Sequence, residues 1–531
     1  MQNLDFVVDD RVGIATLDMP DRPFNVFSED MIDELIELTE EIERRASELD
    51  GVVITSGKSA FMAGADLPMV QGYTTLRHHA SHDEIRASFS RLTHALRRLE
   101  KVPVTTVAAV NGLALGGGLE LAMACHYRVV VDQPTPCLGL PEILLGLLPG
   151  AGGTQRLPRL TSPAFAAKVL LDGAPVTPAV ALDAGLVHKI VKVDELIEVA
   201  VELARNASPG APWDRKKWSQ PSDDQEILEG DDAFDRLCGL GWARSDVVHL
   251  YPAFGAIARC LLDGFQLPFD QGMNVEIENF LGLMLNHVAG NMVRTSFISK
   301  TAAAKVAAAE CHAPTKELPS TITLAGLSEL PKKIARLEIA SGQSAISLCR
   351  HPSQIETSTA VRYAGNFSSI EGVEISGPEN GQALALANKL RLTPVVTKDG
   401  KSLLTQLLNA TSDWTNASGL GPDQLASIAA ETDLYDLFER AGVVLSEPTE
   451  RFSAARAKGL ELLLHIASTA SDCLNIGDIS QPESVDVLAV FAAGFPAWTG
   501  GPLSFLDTVA RGDIEDSPEL PTPRSAPHYP I

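Results

Sequence analysis

The sequence predicts a mixed α/β fold for residues 1–205, and three observations carry that prediction. Apolar, β-branched runs at Val104–Val110 and Tyr127–Val131 read as buried strands. Three consecutive glycines, Gly116, Gly117 and Gly118, lie between them and turn the first strand into a helix over Leu119–Cys125. Amphipathic, charged helical patterns at Ser28–Glu48 and 72–100 accompany this core.

Taken in order, residues 12–19 alternate as a strand, and Ser28 is expected to cap a helix whose apolar side carries Ile32, Leu35, Ile36 and Ile42. A strand at Val52–Thr55 delivers the segment AFMAGAD, Ala60 to Asp66. Its glycine lets the Ala65 N–H face a cleft while Asp66 starts a helix, although the same letters fit a plain strand-to-helix turn. The helical pattern at 72–100 has a polar start, GYTTLRHHASHD. Beyond the glycines, a Pro- and Gly-rich loop leads to Glu142, and Ser162–Val191 reads as helix, turn, helix, strand. Composition shifts after residue 205 to a Pro-, Asp- and Trp-containing stretch without periodicity until about Phe234. Helical patterns then run to about Glu310, and the last residues are Pro-rich and expected to be extended.

Two carboxylates name the chemistry. Glu120 opens the helix behind the glycines, and Glu142 follows a Leu-Pro turn. Paired carboxylates suit acid/base work on a water. Two like charges in an apolar cleft also favour holding a proton near neutral pH. Taken singly, Glu120 is better read as a helix-dipole partner and Glu142 as a solvated loop residue. The bare backbone of the glycines and the helix N-terminus suit an anionic or electron-rich ligand group.

Bulk composition narrows the function classes. A net charge of −25 argues against nonspecific binding to nucleic acid or anionic membranes, which needs a basic face. No apolar run reaches the roughly eighteen residues of a membrane span, and the start MQNLDFVVDD holds no cleavable apolar region, so a cytoplasmic location is expected. The seven cysteines are odd in number and scattered without a CxxC pair, which predicts reduced thiols. The twelve histidines form no HExxH arrangement, so no metal is expected. His126 reads as a helix-end residue facing away from Glu120.

GGGLELAMAC and LGLPEILLGLLPGAGGTQRLPR resemble the two signatures of the enoyl-CoA hydratase/isomerase (crotonase) family, AFMAGAD resembles its first oxyanion-hole loop, and RPFNVFS (Arg22 to Ser28) resembles its CoA-binding entry loop. The resemblance implies repeated ββα turns in a spiral. It implies that Glu120 holds and activates a water, that Glu142 donates a proton at C2, and that Ala65 and Gly117 form the oxyanion hole. Ala63, Asp66, Gly116, Pro141 and Gly150 are expected around the substrate. Coenzyme A is polyanionic, so Arg22, Lys58 and Lys192 are candidate CoA contacts, each of which also fits ordinary surface charge. The implied function is a 2-enoyl-CoA hydratase in a β-oxidation-type pathway. An enoyl-CoA isomerase or acyl-CoA hydrolase on the same scaffold, or a non-catalytic acyl-CoA-binding subunit, are the alternatives; retention of both glutamates favours hydration. Expected partners are the acyl-CoA substrate and a homo-oligomer or a thiolase.

Farther on, VEISGPENGQALALANKLRLTPVVTKDG (Val373 to Gly400) and VDVLAVFAAGFPAWTGGPLSFLD (Val485 to Asp507) resemble parts of the 3-hydroxyacyl-CoA dehydrogenase half of multifunctional fatty-acid oxidation proteins. A working dehydrogenase needs GxGxxG in a βαβ unit, so that the cofactor pyrophosphate meets bare backbone. Here STITLAGLSEL (Ser320 to Leu330) keeps only Gly326, and about eighty residues separate it from Gly400, too few for the full domain. Arg362 stands where the family's catalytic histidine is expected and Thr405 where an asparagine is expected. The expected organisation is a crotonase-like enoyl-CoA hydratase domain (1–205), a linker and helical connector (206–318), a degenerate, NAD-free nucleotide-binding remnant (319–400) and a helical C-terminal dehydrogenase-like domain (401–531).

Overall fold

The computed structural model describes residues 1–310 apart from 21, 67–68, 71, 73–79, 217 and 221–223, and residues 401–447 and 452–514. Between these it describes 322–325, 346–349, 360–362, 371–376, 384–385, 387–388 and 391–398. The chain forms two compact units, Met1–Gly290 and Asn291–Ile531.

The first unit is built on a six-stranded sheet in the order β1-β2-β3-β4-β6-β8. β1 (Leu4–Asp9) and β2 (Val12–Leu17) form a hairpin whose two turn residues, Asp10 and Arg11, both have positive φ. β3 (Gly51–Ser56), β4 (Thr105–Val110), β6 (Tyr127–Val131) and β8 (Lys189–Val191) then add in parallel. β3 and β4 are buried at every position, which explains their unbroken apolar and β-branched runs. A small parallel pair, β5 (Ala114–Leu115) with β7 (Leu138–Gly139), lies outside that sheet. The first half of the chain has the crotonase-like α/β fold that the sequence implies.

Helix α1 (Glu29–Arg44) starts at Ser28, whose hydroxyl accepts the Met31 N–H at 3.2 Å, a cap worth about 1 kcal/mol. It stops four residues before Glu48, where a separate 3-10 turn (Ala46–Glu48) follows; Ile36 on its apolar side is only half-buried. Helix α2 (His82–Leu99) carries a capping box at Ser81 and Glu84. Most of its expected polar start lies outside the described residues. Helix α3 spans Gly117–Ala124, two residues earlier than its apolar pattern suggests. Gly118 is the reason: a β-carbon there would lie 2.3 Å from the Met62 carbonyl oxygen, so the helix begins on residues without side chains. α4 (Gly153–Leu160), α5 (Pro163–Asp172), α6 (Pro178–Asp183) and α7 (Leu196–Asn206) complete the spiral, and α7 packs on the strand face through Leu196, Ala200 and Ala204.

Residues 206–290 pack into this first unit. α8 (Ala233–Cys238), α9 (Pro252–Arg259) and α10 (Phe269–Met284) follow the spiral. Asp214 and Asp270 both pair with the mostly buried Arg97 of α2, at 2.7 and 2.6 Å, and Trp213 stacks on Phe269 with ring centroids 4.5 Å apart.

The second unit holds a five-stranded mixed sheet in the order β10-β9-β11-β12-β13. Its strands are β9 (Ile322–Ala325), β10 (Ile346–Cys349), β11 (Ala360–Arg362), β12 (Gly372–Ser376) and β13 (Thr393–Val396). Gly326 lies outside the described residues. Arg362 sits in β11 opposite Glu374 of antiparallel β12. Thr405 lies in the first turn of the helix Leu403–Ser418, where its N–H donates to Ser402 Oγ at 3.1 Å. Helices Pro422–Thr432, Ala455–Asn475 and Pro502–Ala510 follow. Two helix N-termini of this unit are filled by its own carboxylates, Glu374 on the Leu403 N–H at 2.7 Å and Asp486 on the Leu503 N–H at 2.7 Å. No helix among the described residues is long and apolar enough to cross a membrane.

Candidate active site

The site grows from the carboxyl ends of β3 and β4, where an open parallel sheet leaves its loops free to meet. Asn25, fully buried, ties these loops together. Its Nδ2 donates to Leu17 O, Ser56 Oγ and Phe61 O at 3.0, 2.9 and 3.3 Å, and its Oδ1 accepts the Met19 N–H at 2.9 Å. One strand-like bridge then fixes the AFMAGAD turn: the Phe27 N–H donates to Gly64 O at 2.8 Å and the Asp66 N–H to Phe27 O at 2.7 Å. Gly64 O and Asp66 N both face Phe27, so the Ala65 N–H between them points to the other side of the chain. It has no acceptor among the described residues.

Gly64 and Gly117 lie side by side. Gly64 has φ +91°, and a β-carbon on it would sit 3.2 Å from the Leu115 carbonyl oxygen and 3.9 Å from the Gly117 nitrogen. The Gly117 N–H belongs to the first turn of α3 and has no intrahelical acceptor. Among the described residues neither the Ala65 N–H nor the Gly117 N–H has an acceptor, and the two turns that carry them are in contact.

Glu120 stands one turn farther along α3 and is buried. Its Oε1 accepts the Ala151 N–H at 2.8 Å and the Gly153 N–H at 2.7 Å. Burial raises its carboxyl above the ordinary value, while those two N–H groups and the Arg156 guanidinium oppose the rise. Glu142 lies in the 3-10 turn Pro141–Leu145, which Pro141 opens. Its Oε2 is buried without a hydrogen-bond partner among the described residues. Burial first, and the Glu120 carboxylate next, push the Glu142 carboxyl well above its ordinary value. Gly116 makes room for this arrangement: its φ is +52°, and a β-carbon on it would fall 2.5 Å from Glu142 Oε1. One buried cluster therefore contains one acid held by two N–H donors and a second whose carboxyl is raised further, by burial and by the charge of the first.

A third buried acid, Glu276 of α10, was not legible as a site residue. It accepts the Gly152 N–H at 2.6 Å, the Thr154 N–H at 3.0 Å and the Thr154 hydroxyl at 2.5 Å. Burial and the Glu120 charge raise its carboxyl, while the Thr154 hydroxyl, the Gly152 N–H and the Arg156 guanidinium oppose the rise. The available signal was its spacing: Met273, Glu276, Ile277 and Phe280 share the apolar stripe of α10, where a glutamate needs a partner. Asn25 was missed too, because its partners are set by tertiary contacts.

The remaining expected contacts divide. Arg22 pairs with Asp66 at 2.9 Å and Lys58 with Asp18 at 3.0 Å, so neither cation is a free phosphate partner in this state. Asp66 anchors its loop, with its carbonyl accepting the Val70 N–H. Ala63 has already given its N–H to Asn25 O at 2.9 Å. At Gly150 the reason for glycine is packing: a β-carbon would lie 2.9 Å from the Phe280 ring, and its carbonyl accepts the Thr93 hydroxyl at 2.7 Å. Lys192 follows β8 at the sheet edge. His126 is a satisfied core histidine, with Nδ1 accepting the Thr106 N–H at 3.0 Å and Nε2 3.0 Å from Glu100 O.

With the two glutamate carboxyls buried beside the glycine turns, the comparisons with known proteins become informative. Residues 9–214 match the enoyl-CoA hydratase/isomerase family. The chain is similar to the fatty acid oxidation complex subunit alpha of Shewanella frigidimarina (strain NCIMB 400), 36% identical over 315 residues, covering 58% of this chain and 42% of that protein. The same subunit of Shewanella baltica (strain OS185) is 35% identical over 324 residues, covering 60% and 44%. The chain thus spans less than half the length of these relatives. A crystal structure of enoyl-CoA hydratase from Bacillus anthracis is 26% identical with a TM-score of 0.34, covering 53% of this chain and 90% of that one.

Proposed function

We propose that this protein is a 2-enoyl-CoA hydratase acting in fatty-acid oxidation and lacking dehydrogenase activity. The observation that carries the reading is the Glu120–Glu142 cluster, in which one buried carboxylate is held by two backbone N–H groups and the other has a buried oxygen without a partner. Hydration of a conjugated thioester needs a base to deprotonate water for attack at C3 and an acid to protonate C2. Glu120 supplies the first and Glu142 the second, and the electron pair displaced from the double bond onto the thioester oxygen is stabilised by the Ala65 and Gly117 amides. The test is the loss of enoyl-thioester absorbance when the purified chain is added to crotonyl-CoA or a longer homologue. Unchanged absorbance at all chain lengths would remove the reading.

The coenzyme A moiety is proposed to reach the cleft past Arg22 and Lys58, which would exchange Asp66 and Asp18 for phosphate oxygens. A cytoplasmic location and assembly with further copies or with a thiolase fit the same reading.

Two further outcomes are expected. Gly116→Ala should lower hydratase kcat by about tenfold or more, because the new methyl group displaces Glu142 Oε1 and the backbone conformation disfavours an L side chain. Circular dichroism should show the fold retained; wild-type kcat in this variant would disprove the close approach. For the second unit, the purified chain should form no NADH from 3-hydroxyacyl-CoA and NAD. The reason is that no GxGxxG cradle exists in the sequence, and the expected histidine position is Arg362, in a strand. Any enzyme-dependent rise in NADH absorbance contradicts this.

A further inference from the structure

We infer that Glu276 is a positioning residue for Glu120, acting through the loop 151–154, and that helix α10 is therefore part of the catalytic apparatus although it lies beyond the residues matched to the family. The inference rests on the hydratase reading above and extends it. The loop offers four consecutive N–H groups, and they alternate between two carboxylates. Ala151 and Gly153 donate to Glu120, while Gly152 and Thr154 donate to Glu276. Gly152 is left-handed, with φ +102°, and Gly153 and Thr154 open α4, where the first N–H groups have no intrahelical acceptor, so these amides are free to be shared and the segment is clamped between two acids. Any displacement of Gly152 and Thr154 moves the two donors that fix the Glu120 oxygen.

The rest of α10 supports the same loop. Residues 273, 276 and 280 fall on one face of the helix by their spacing. A β-carbon at Gly152 would lie 3.0 Å from Met273 Cε, and one at Gly150 would lie 2.9 Å from the Phe280 ring. Phe280 is itself held edge-on against Phe89 of α2, with ring centroids 5.2 Å apart. From the opposite direction, the fully buried Arg156 donates to Ala151 O at 2.6 Å and to Glu100 at 3.0 Å.

A carboxylate is the side chain this position requires. Three donors, the Gly152 N–H, the Thr154 N–H and the Thr154 hydroxyl, converge on its two oxygens. A carboxylate accepts at both oxygens, whereas a glutamine amide accepts at one and places an NH₂ group against another donor. Glutamine at 276 thus keeps the volume and breaks the clamp.

The experiment is a double-mutant cycle in the full chain, measured with crotonyl-CoA. Glu276→Gln should lower kcat by about tenfold to a hundredfold with KM within about twofold, since a small misplacement of a reacting group has an effect of this size. In a Glu120→Gln background the same substitution should change the residual kcat by less than about twofold, because the group it positions is gone. A merely structural role would instead give the same loss in both backgrounds, and that result, or an unchanged kcat in the single variant, overturns the inference. Should Glu276→Gln not fold, Thr154→Val, which removes one of the three donors, is measured in the same two backgrounds with the same two outcomes. Full activity in Glu120→Gln alone would instead strike the hydratase mechanism itself.

Discussion

Glu142→Gln should reduce the hydration of crotonyl-CoA by about 10²–10⁴-fold, the usual worth of a positioned acid. Glutamine preserves the shape beside Gly116 and removes only the transferable proton. The argument starts from burial: Glu142 Oε2 has no partner, and desolvation together with the Glu120 charge keeps the carboxyl protonated well above the ordinary range. A group in that state can give a proton to C2 at neutral pH, where an ordinary glutamate has none to give. The pH dependence follows with a definite sign. In the wild type kcat falls as pH rises through the elevated Glu142 value, and in Glu142→Gln that alkaline limb disappears from the residual rate. Full hydratase activity in the variant would exclude Glu142 as the acid.

Glu120→Gln should lose activity by a similar order, about 10²–10⁴-fold, for the opposite reason. Glu120 must be ionised to take a proton from water, and the Ala151 and Gly153 N–H groups with Arg156 oppose the burial that would neutralise it. The amide oxygen of glutamine still accepts from both N–H groups, so the loop is expected to stay and the base alone to vanish. Acyl-CoA binding, measured by calorimetry with a saturated acyl-CoA, should be largely retained, because neither carboxylate holds the nucleotide. The double variant should be little slower than either single one, since two groups acting on one water work as a unit. If Glu120→Gln hydrates no substrate yet still shifts double bonds, the isomerase reading takes precedence.

How much of this was visible beforehand depends on the range of the interaction involved. The strand at Tyr127–Val131, the Ser28 cap and the helix–turn–helix–strand order of 162–191 follow from local pattern, and the structure has them. The start of α3 was misplaced by two residues, because what sets it is the contact of Gly118 with Met62, a neighbour from another loop. Arg22 and Lys58 read as free cations, since a sequence does not say that Asp66 and Asp18 lie within about 3 Å of them.

By itself the sequence determined the strands at 12–19, 52–55, 104–110 and 127–131, the helix after Ser28, the two glutamates and the glycine turns beside them, because helix period, strand run and turn chemistry are properties of neighbouring residues. Only the tertiary structure decided that Glu120 is gripped by Ala151 and Gly153, that Glu142 keeps a buried oxygen without a partner, and that Glu276 holds the same loop from below. The physical reason is that a carboxylate's protonation and aim are set by whichever donors and charges surround it in space. For Glu276 and Thr154 those partners are 122 positions apart along the chain.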